Sequence, residues 1–243
     1  DWFISLFALV IANKVVLLTE SYKSELENVF KYFNHKKKYQ VIPNGVDIKK
    51  FPLIKFDNNK QHAKPIFTLG MAARFTDTKR QDLLLNAIKR VHESHYGKIN
   101  LQLKLAGDGP ELDRIRSLAK QLEISSIVSF EGLIEESKLP DWYKNINLYI
   151  HATDGETLSI SILQAMSAGL PILASDVDGI SNLLYQEDRF GSCVANDEGS
   201  FAKEIIHIYS NYKQSLNTGL KARAKVERDY SSYGMLQSYL SLL

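Results

Sequence analysis

Residues 148–175 read Leu148-Tyr-Ile-His-Ala-Thr-Asp-Gly-Glu-Thr-Leu-Ser-Ile-Ser-Ile-Leu-Gln-Ala-Met-Ser-Ala-Gly-Leu-Pro-Ile-Leu-Ala-Ser175. The apolar run at 148–152 reads as a buried strand, and a polar loop follows it. A helix is expected over 157–168, stopped by Gly169 and Pro171, and a second apolar strand follows at 171–175. Two short strands joined through a helix need a crossover connection, so the pair is parallel. The same stretch carries chemistry. Glu156 stands just before the helix and Gln164 lies two turns inside it, with seven residues between them. Thr157, Leu158 and Ser159 offer backbone N–H groups where the helix dipole is positive. A phosphate suits that end of a helix, and Glu156 and Gln164 can bond hydroxyls on either side of it.

The pattern repeats outward from this unit. Strands are expected at 66–72, 100–105, 127–130 and 191–195, with helices at 80–91, 111–122, 136–144, 179–184 and after Gly199. This alternation predicts an α/β chain with a doubly wound, Rossmann-like parallel sheet. Ligands of such sheets lie beyond the carboxyl ends of the strands, and Arg74, Gly107, Gly132 and Glu156 each follow an expected strand. Before this regular part, 14–18 reads as a strand, a helix runs to about Phe33, Lys36-Lys-Lys38 breaks the pattern, and a strand at 39–42 leads into the turn Pro43-Asn-Gly45. Residues 48–65 read as a polar connector. The final stretch, 221–243, reads as helical.

Composition excludes several classes. With 30 Lys and Arg against 28 Asp and Glu, the net charge of +2 demands no nucleic acid or anionic lipid. The apolar stretch at 2–12 is shorter than the ~20 residues a membrane span needs; it reads as an amphipathic helix entered directly from Asp1, as though cut from a larger protein. The single Cys193 forms no internal disulfide and reads as core. The six histidines show no metal spacing; His151, at the end of a strand before the Glu156 loop, reads first as packed, although it could face a ligand there. Asp176-Val-Asp178 runs into Gly179 and reads as a strand-end turn, not a metal site. Gly107-Asp-Gly109 lacks the third glycine of a dinucleotide fingerprint, since that position holds Leu112, and this argues against an oxidoreductase.

The stretch 155–171 resembles the E-x7-E segment of retaining GT-B glycosyltransferases of family 4, written E-G-F-G-x-x-x-x-E-A-M-A-x-G-x-P. Gln164 stands at the second carboxylate, and Thr157 and Ser159 replace its glycines. Val41-Ile-Pro-Asn-Gly-Val-Asp47, Arg74 with Lys79, Ala106-Gly-Asp-Gly-Pro110, Phe130-Glu-Gly132 and Ala174-Ser-Asp-Val-Asp-Gly-Ile180 fit the same family in order, so the resemblance covers about residues 40–230.

The resemblance implies the fold, domains and roles. Residues 1–43 would end a truncated N-terminal acceptor domain, 44–225 would form the donor-binding domain, and 226–243 would be a helix returning to the N-terminal domain. Arg74 and Lys79 would clamp the donor diphosphate as charge grows on the leaving group, with Arg80 as an alternative to Lys79. Glu156 would hold hydroxyls of the donor sugar. Gly107, Gly109 and Gly132 would approach the nucleotide by backbone, Thr157, Leu158 and Ser159 would meet phosphate, and Gln164 would meet the ribose. The implied activity moves a sugar from a nucleotide sugar to a saccharide or lipid-linked acceptor, with retention and without a cofactor or divalent metal. It would be cytoplasmic, with room for membrane contact through the N-terminal domain. The rival reading is a non-catalytic module that binds a sugar nucleotide or a partner, supported by Gln164 and the lost glycines.

Overall fold

The computed structural model describes residues 11–29, 38–55, 66–94 and 99–242. The helix expected at 2–12, the end of the helix expected to Phe33, most of the Lys36-Lys-Lys38 break and the middle of the connector lie largely outside them.

Two units of sheet are present among the described residues. The smaller pairs β1 (Val15–Leu17) with β2 (Tyr39–Val41) in parallel, with α1 (Glu20–Val29) between them. The larger has six strands: β3 (Phe67–Ala72), β4 (Leu101–Ala106), β5 (Val128–Gly132), β6 (Leu148–His151), β7 (Ile172–Ser175) and β8 (Ser192–Val194). They lie in the order β5-β4-β3-β6-β7-β8, and every pair is parallel. The chain therefore winds outward from β3 in one direction and then returns to its other side at β6. Between β3 and β6 the direction of winding reverses, and this is where an open parallel sheet leaves a crevice at its carboxyl edge.

Burial on both faces explains the short apolar strands. Along β3, Phe67, Leu69 and Met71 enter one core, which also holds residues of α2 (Gln81–Glu93), α3 (Leu112–Gln121) and α7 (Glu198–Ser210). Tyr149, Ile172 and Ala174 enter the other. It includes residues of α4 (Leu139–Lys144), α5 (Ile160–Ser167), α6 (Asp178–Leu184) and α8 (Tyr212–Asp229). Leu148 and Ile150 face the first core while Tyr149 between them faces the second, the period-2 alternation of a strand buried twice.

Three expectations change. The helix expected from Thr157 begins at Ile160, because Ser159 is extended and its hydroxyl accepts from the Ile162 N–H. The helix expected from Glu136 begins at Leu139, with Pro140 in its first turn, where a missing N–H costs nothing. The helical C-terminal stretch is broken: α8 ends at Asp229 and α9 (Ser232–Leu240) starts afresh behind a Ser231 cap. The break has a partner. The Val46 N–H donates to Tyr230 O at 2.8 Å, and the Ser232 N–H donates to Val46 O at 3.0 Å, so the turn after β2 is tied to the chain's last segment. No helix among the described residues is long and apolar enough to cross a membrane.

Candidate functional site

The loops after β3 and β6 meet at the crevice. Lys79 Nζ lies 2.6 Å from Glu156 Oε2, with both side chains about four-fifths covered. His151, the last residue of β6 and 1% exposed, points Nε2 at the same oxygen from 3.6 Å, which is beyond hydrogen-bond length. His151 and Lys79 hold the Glu156 carboxyl down at about 2, against the opposing effect of burial. At neutral pH Glu156 is therefore an anion. The His151 pKa is lowered, first by burial and also by the charge of Lys79, although Glu156 works the other way.

A scaffold of loop contacts sets this geometry. Thr153 Oγ1 lies 2.9 Å from Gly155 O and 3.1 Å from Thr78 O, and the Asp154 N–H donates to Thr78 O at 2.9 Å, so the two loops are laced together. The Thr153 N–H donates to the Ser175 hydroxyl, which reaches Asn196 Oδ1 at 2.8 Å. Asn196 in turn donates to Asp154 at 2.7 Å. Thus the ends of β3, β6, β7 and β8 share one network. Arg80 belongs to it too, since it contacts Asp82 at 3.2 Å and Asp154 at 3.0 Å. Arg80, the alternative to Lys79, is thus engaged with two carboxylates, and Lys79 with one.

Arg74 is placed differently. It is exposed, and its guanidinium has no hydrogen-bond or ion-pair partner among the described residues. Its backbone is fixed instead: buried Gln81 donates from Nε2 to Arg74 O at 3.1 Å. Arg74 lines a cleft of about 560 Å³ together with Gly107, Gly109, Leu133, Ser161 and Gln164. Gly107 has φ of 135°, and a Cβ there would sit 2.0 Å from Ala73 O, so only glycine lets these two loops approach. Gly132 is tied to it, accepting the Gly107 N–H at 2.7 Å, and lies beside rather than in the cleft wall.

The start of α5 supplies donors. The N–H groups of Thr157, Leu158, Ser159, Ile160 and Ser161 have no acceptor among the described residues, and Ile160 and Ser161 line the cleft. The Leu158 side chain is buried and lines a separate cavity with Gly179 and Tyr185, so only its backbone is available to an anion. Gly179 lets the loop sit here: its Cβ would lie 1.8 Å from Glu156 O. Within the helix, Gln164 Oε1 is 3.1 Å from the buried Tyr143 hydroxyl, which also lies 3.0 Å from Ser161 O. One hydroxyl proton serves one of these oxygens well. Turning the amide resolves this, because Nε2 then donates to the Tyr143 oxygen and Tyr143 donates to Ser161 O.

Residues 66–211 match the family described as glycosyl transferases group 1. The chain belongs to that family. It is 30% identical over 161 residues to the alpha-monoglucosyldiacylglycerol synthase of Streptococcus pneumoniae, which covers 63% of this chain and 36% of the relative. It is also 22% identical over 231 residues to the poly(ribitol-phosphate) alpha-N-acetylglucosaminyltransferase of Staphylococcus aureus, covering 95% of this chain and 43% of that one. A mutant of Staphylococcus aureus TarM, crystallised with fondaparinux, alpha-GlcNAc-glycerol and UDP, superposes with a TM-score of 0.80 at 22% identity, over 97% of this chain and 44% of that structure. Anabaena HepE with UDP and glucose gives 0.80 at 18%, over 97% and 64%. The chain spans less than half the length of these two curated relatives. The GT-B expectation for the fold is met by these superpositions. No group of three or more His, Cys, Asp or Glu able to hold a metal occurs among the described residues, Asp176 and Asp178 included.

Sequence reasoning singled out Arg74, Lys79 and Glu156 but missed Thr153, Asn196, Gln81 and Tyr143. Tyr143 was invisible as a site residue because its partners Ser161 and Gln164 lie beyond the next strand, and Gln81 because its bond goes to a backbone oxygen, that of Arg74.

Proposed function

We propose that this chain is the donor-binding part of a retaining glycosyltransferase that moves a sugar from a nucleotide sugar to a saccharide or lipid-linked acceptor. One observation carries the reading: at the crevice where the sheet reverses, an ionised Glu156 faces Lys79, and the loops there also bring Arg74 and a run of N–H groups that have no partner among the described residues. The diphosphate fits the cationic and N–H side. Arg74 forks onto its oxygens, Lys79 adds a mobile charge, and the N–H groups of residues 157–161 replace water around it. As the anomeric bond breaks, these fixed donors stabilise the growing charge more than the ground state. Glu156 accepts hydroxyls of the donor sugar, and the diphosphate leaving group receives the proton of the acceptor hydroxyl on the same face. Gly107 and Gly109 give the base a close backbone approach, Gly132 supports it by accepting the Gly107 N–H, and Gln164 meets the ribose. Residues 44–225 form the donor domain, 1–43 belong to the acceptor domain, and 226–243 return to it. No cofactor is required in this scheme.

UDP appears in the structural neighbours, so it is the first probe. Calorimetry should show UDP binding at least tenfold tighter than uridine, since only UDP gains charge-assisted bonds of ~1.5 to 3 kcal/mol each. Equal affinity for both would remove the diphosphate reading. Transfer by the full-length parent with a donor panel separates an enzyme from a module that binds and does not turn over.

A further inference from the structure

We propose that His151 is a positioning residue for Glu156: its Nε2–H receives the carboxylate when the diphosphate draws Lys79 away. This rests on the donor-site reading above and adds a residue to it.

Glu156 Oε2 is approached by two donors at once, Lys79 at 2.6 Å and His151 Nε2 at 3.6 Å. A diphosphate competes with Glu156 for Lys79, whose ammonium is already on Glu156 at 2.6 Å and near Thr153 Oγ1 at 3.4 Å. When it turns to the phosphate, a carboxylate whose side chain is only 20% exposed loses its cation, and an unpaired carboxylate is strongly disfavoured there. His151 Nε2 is buried and has no hydrogen-bond partner among the described residues, which is an arrangement that folded proteins seldom keep without a use. Closing its gap to Oε2 requires less than an ångström of movement of the Glu156 side chain, since N–H···O bonds run to ~3.2 Å.

The tautomer agrees. An ionised carboxylate has no proton to give, so the facing nitrogen must carry one. The other nitrogen, Nδ1, is 3.4 Å from the Tyr149 hydroxyl, whose single proton also has Ala72 O within reach at 3.2 Å, so the carboxylate alone sets the tautomer. The Tyr149 ring stacks on the imidazole at 6.1 Å and 24°, which fixes its plane. The ionisable groups that face His151 are Tyr149 from its own strand, Glu156 from the loop after β6 and Lys79 from the loop after β3. Burial keeps the imidazole neutral, so it holds Glu156 as a hydrogen-bond donor and brings no second positive charge to repel Lys79. The carboxylate then stays aimed at the sugar in both states.

A double-mutant cycle tests this, with UDP as titrant and the 243-residue chain as protein. His151→Leu should weaken UDP binding about tenfold, the size of one lost hydrogen bond to a charged group. In a Glu156→Gln background the same change should cost less than about twofold, because no carboxylate needs a new partner. His151→Gln, which returns an N–H near the Nε2 position, should restore affinity to within about twofold of the parent. Equal losses in both backgrounds would assign His151 to packing alone and overturn the proposal. Should His151→Leu fail to fold, ¹⁵N-histidine spectra of the parent decide it: Nε2 stays protonated and its resonance shifts on adding UDP, and no shift overturns the proposal. A parent that binds UDP but shows no coupling removes only the role of His151. A parent that binds neither UDP nor GDP removes the donor-site reading, and this role with it.

Discussion

Arg74 and Lys79 flank one crevice, yet the fold treats them oppositely. Lys79 is mostly covered, held at 2.6 Å by Glu156 and surrounded by the laced loops of β3 and β6. Arg74 is exposed and without a partner among the described residues, on the cleft wall with Gly107 and Leu133. One side is crowded and internally neutralised; the other is open and keeps its charge. The difference teaches that two cations read from one motif need not contribute equally. A bare guanidinium offers its full bond to an anion, whereas Lys79 must first give up a bond it already has.

The crowded side should be the more fragile. Gly179→Ala would drive a methyl into Glu156 O, at 1.8 Å, and into Thr157 O, at 2.5 Å. The expected loss is about 3 kcal/mol or more, as for the worst overpacking, measurable as a lower urea midpoint. An unchanged midpoint would mean that the loop yields freely and the contrast is overstated.

Acid should loosen the same side. Glu156 has a folded pKa of about 2 against an ordinary 4.5, so its contribution is complete above the ordinary value and is lost as pH falls towards 2. The contribution is on the order of 2 to 3 kcal/mol. His151 is also depressed, below 6.5, so its neutral form adds stability above that value that is lost on acidification. Melting temperature should therefore fall with pH in two stages. Glu156→Gln should flatten the lower stage and His151→Gln the upper; unchanged curves in both variants would detach these groups from stability.

Binding is the direct comparison. Arg74→Ala should weaken UDP binding by ~1.5 to 3 kcal/mol, one charge-assisted bond. Lys79→Ala should cost about 1 kcal/mol less, because its pair with Glu156 is lost in the free state as well. If Lys79→Ala proves the more damaging in calorimetry, the asymmetry proposed here is reversed. The smallest effect belongs to the open rim. Leu133 is 78% exposed, so Leu133→Ser should change stability by less than about 0.5 kcal/mol, and any larger change in UDP affinity then reports contact with the nucleotide.

Much of this architecture was legible because strands buried on both faces are short apolar runs, as at 67–72 and 148–151, and helices separate them with polar faces outward. The crevice residues were legible because they follow strand ends. The start of α5 was not. Thr157, Ser159 and Ser161 are all capable caps, and the choice fell to Ser159 in a fold that buries Leu158 and holds Gly179 against the preceding loop. The restart at Ser232 was hidden for a similar reason, since its cause is Val46, far away in sequence. Pairings such as Tyr143 with Gln164 and Asn196 with Asp154 follow from winding, and no local pattern encodes them.

The link between Val46 and Ser231 has a further consequence. The stretch that carries the six-stranded sheet begins and ends side by side, joined by backbone bonds at 2.8 and 3.0 Å, with the Gly45 N–H reaching Met235 Sδ at 3.2 Å. Its entry and exit form a neck, so in topological terms it is a closed ring. A segment of that kind suits transplantation or cyclic reordering. New ends could be opened in an exposed loop and the segment's old ones joined by a short bridge, because Val46 and Ser231 already lie side by side.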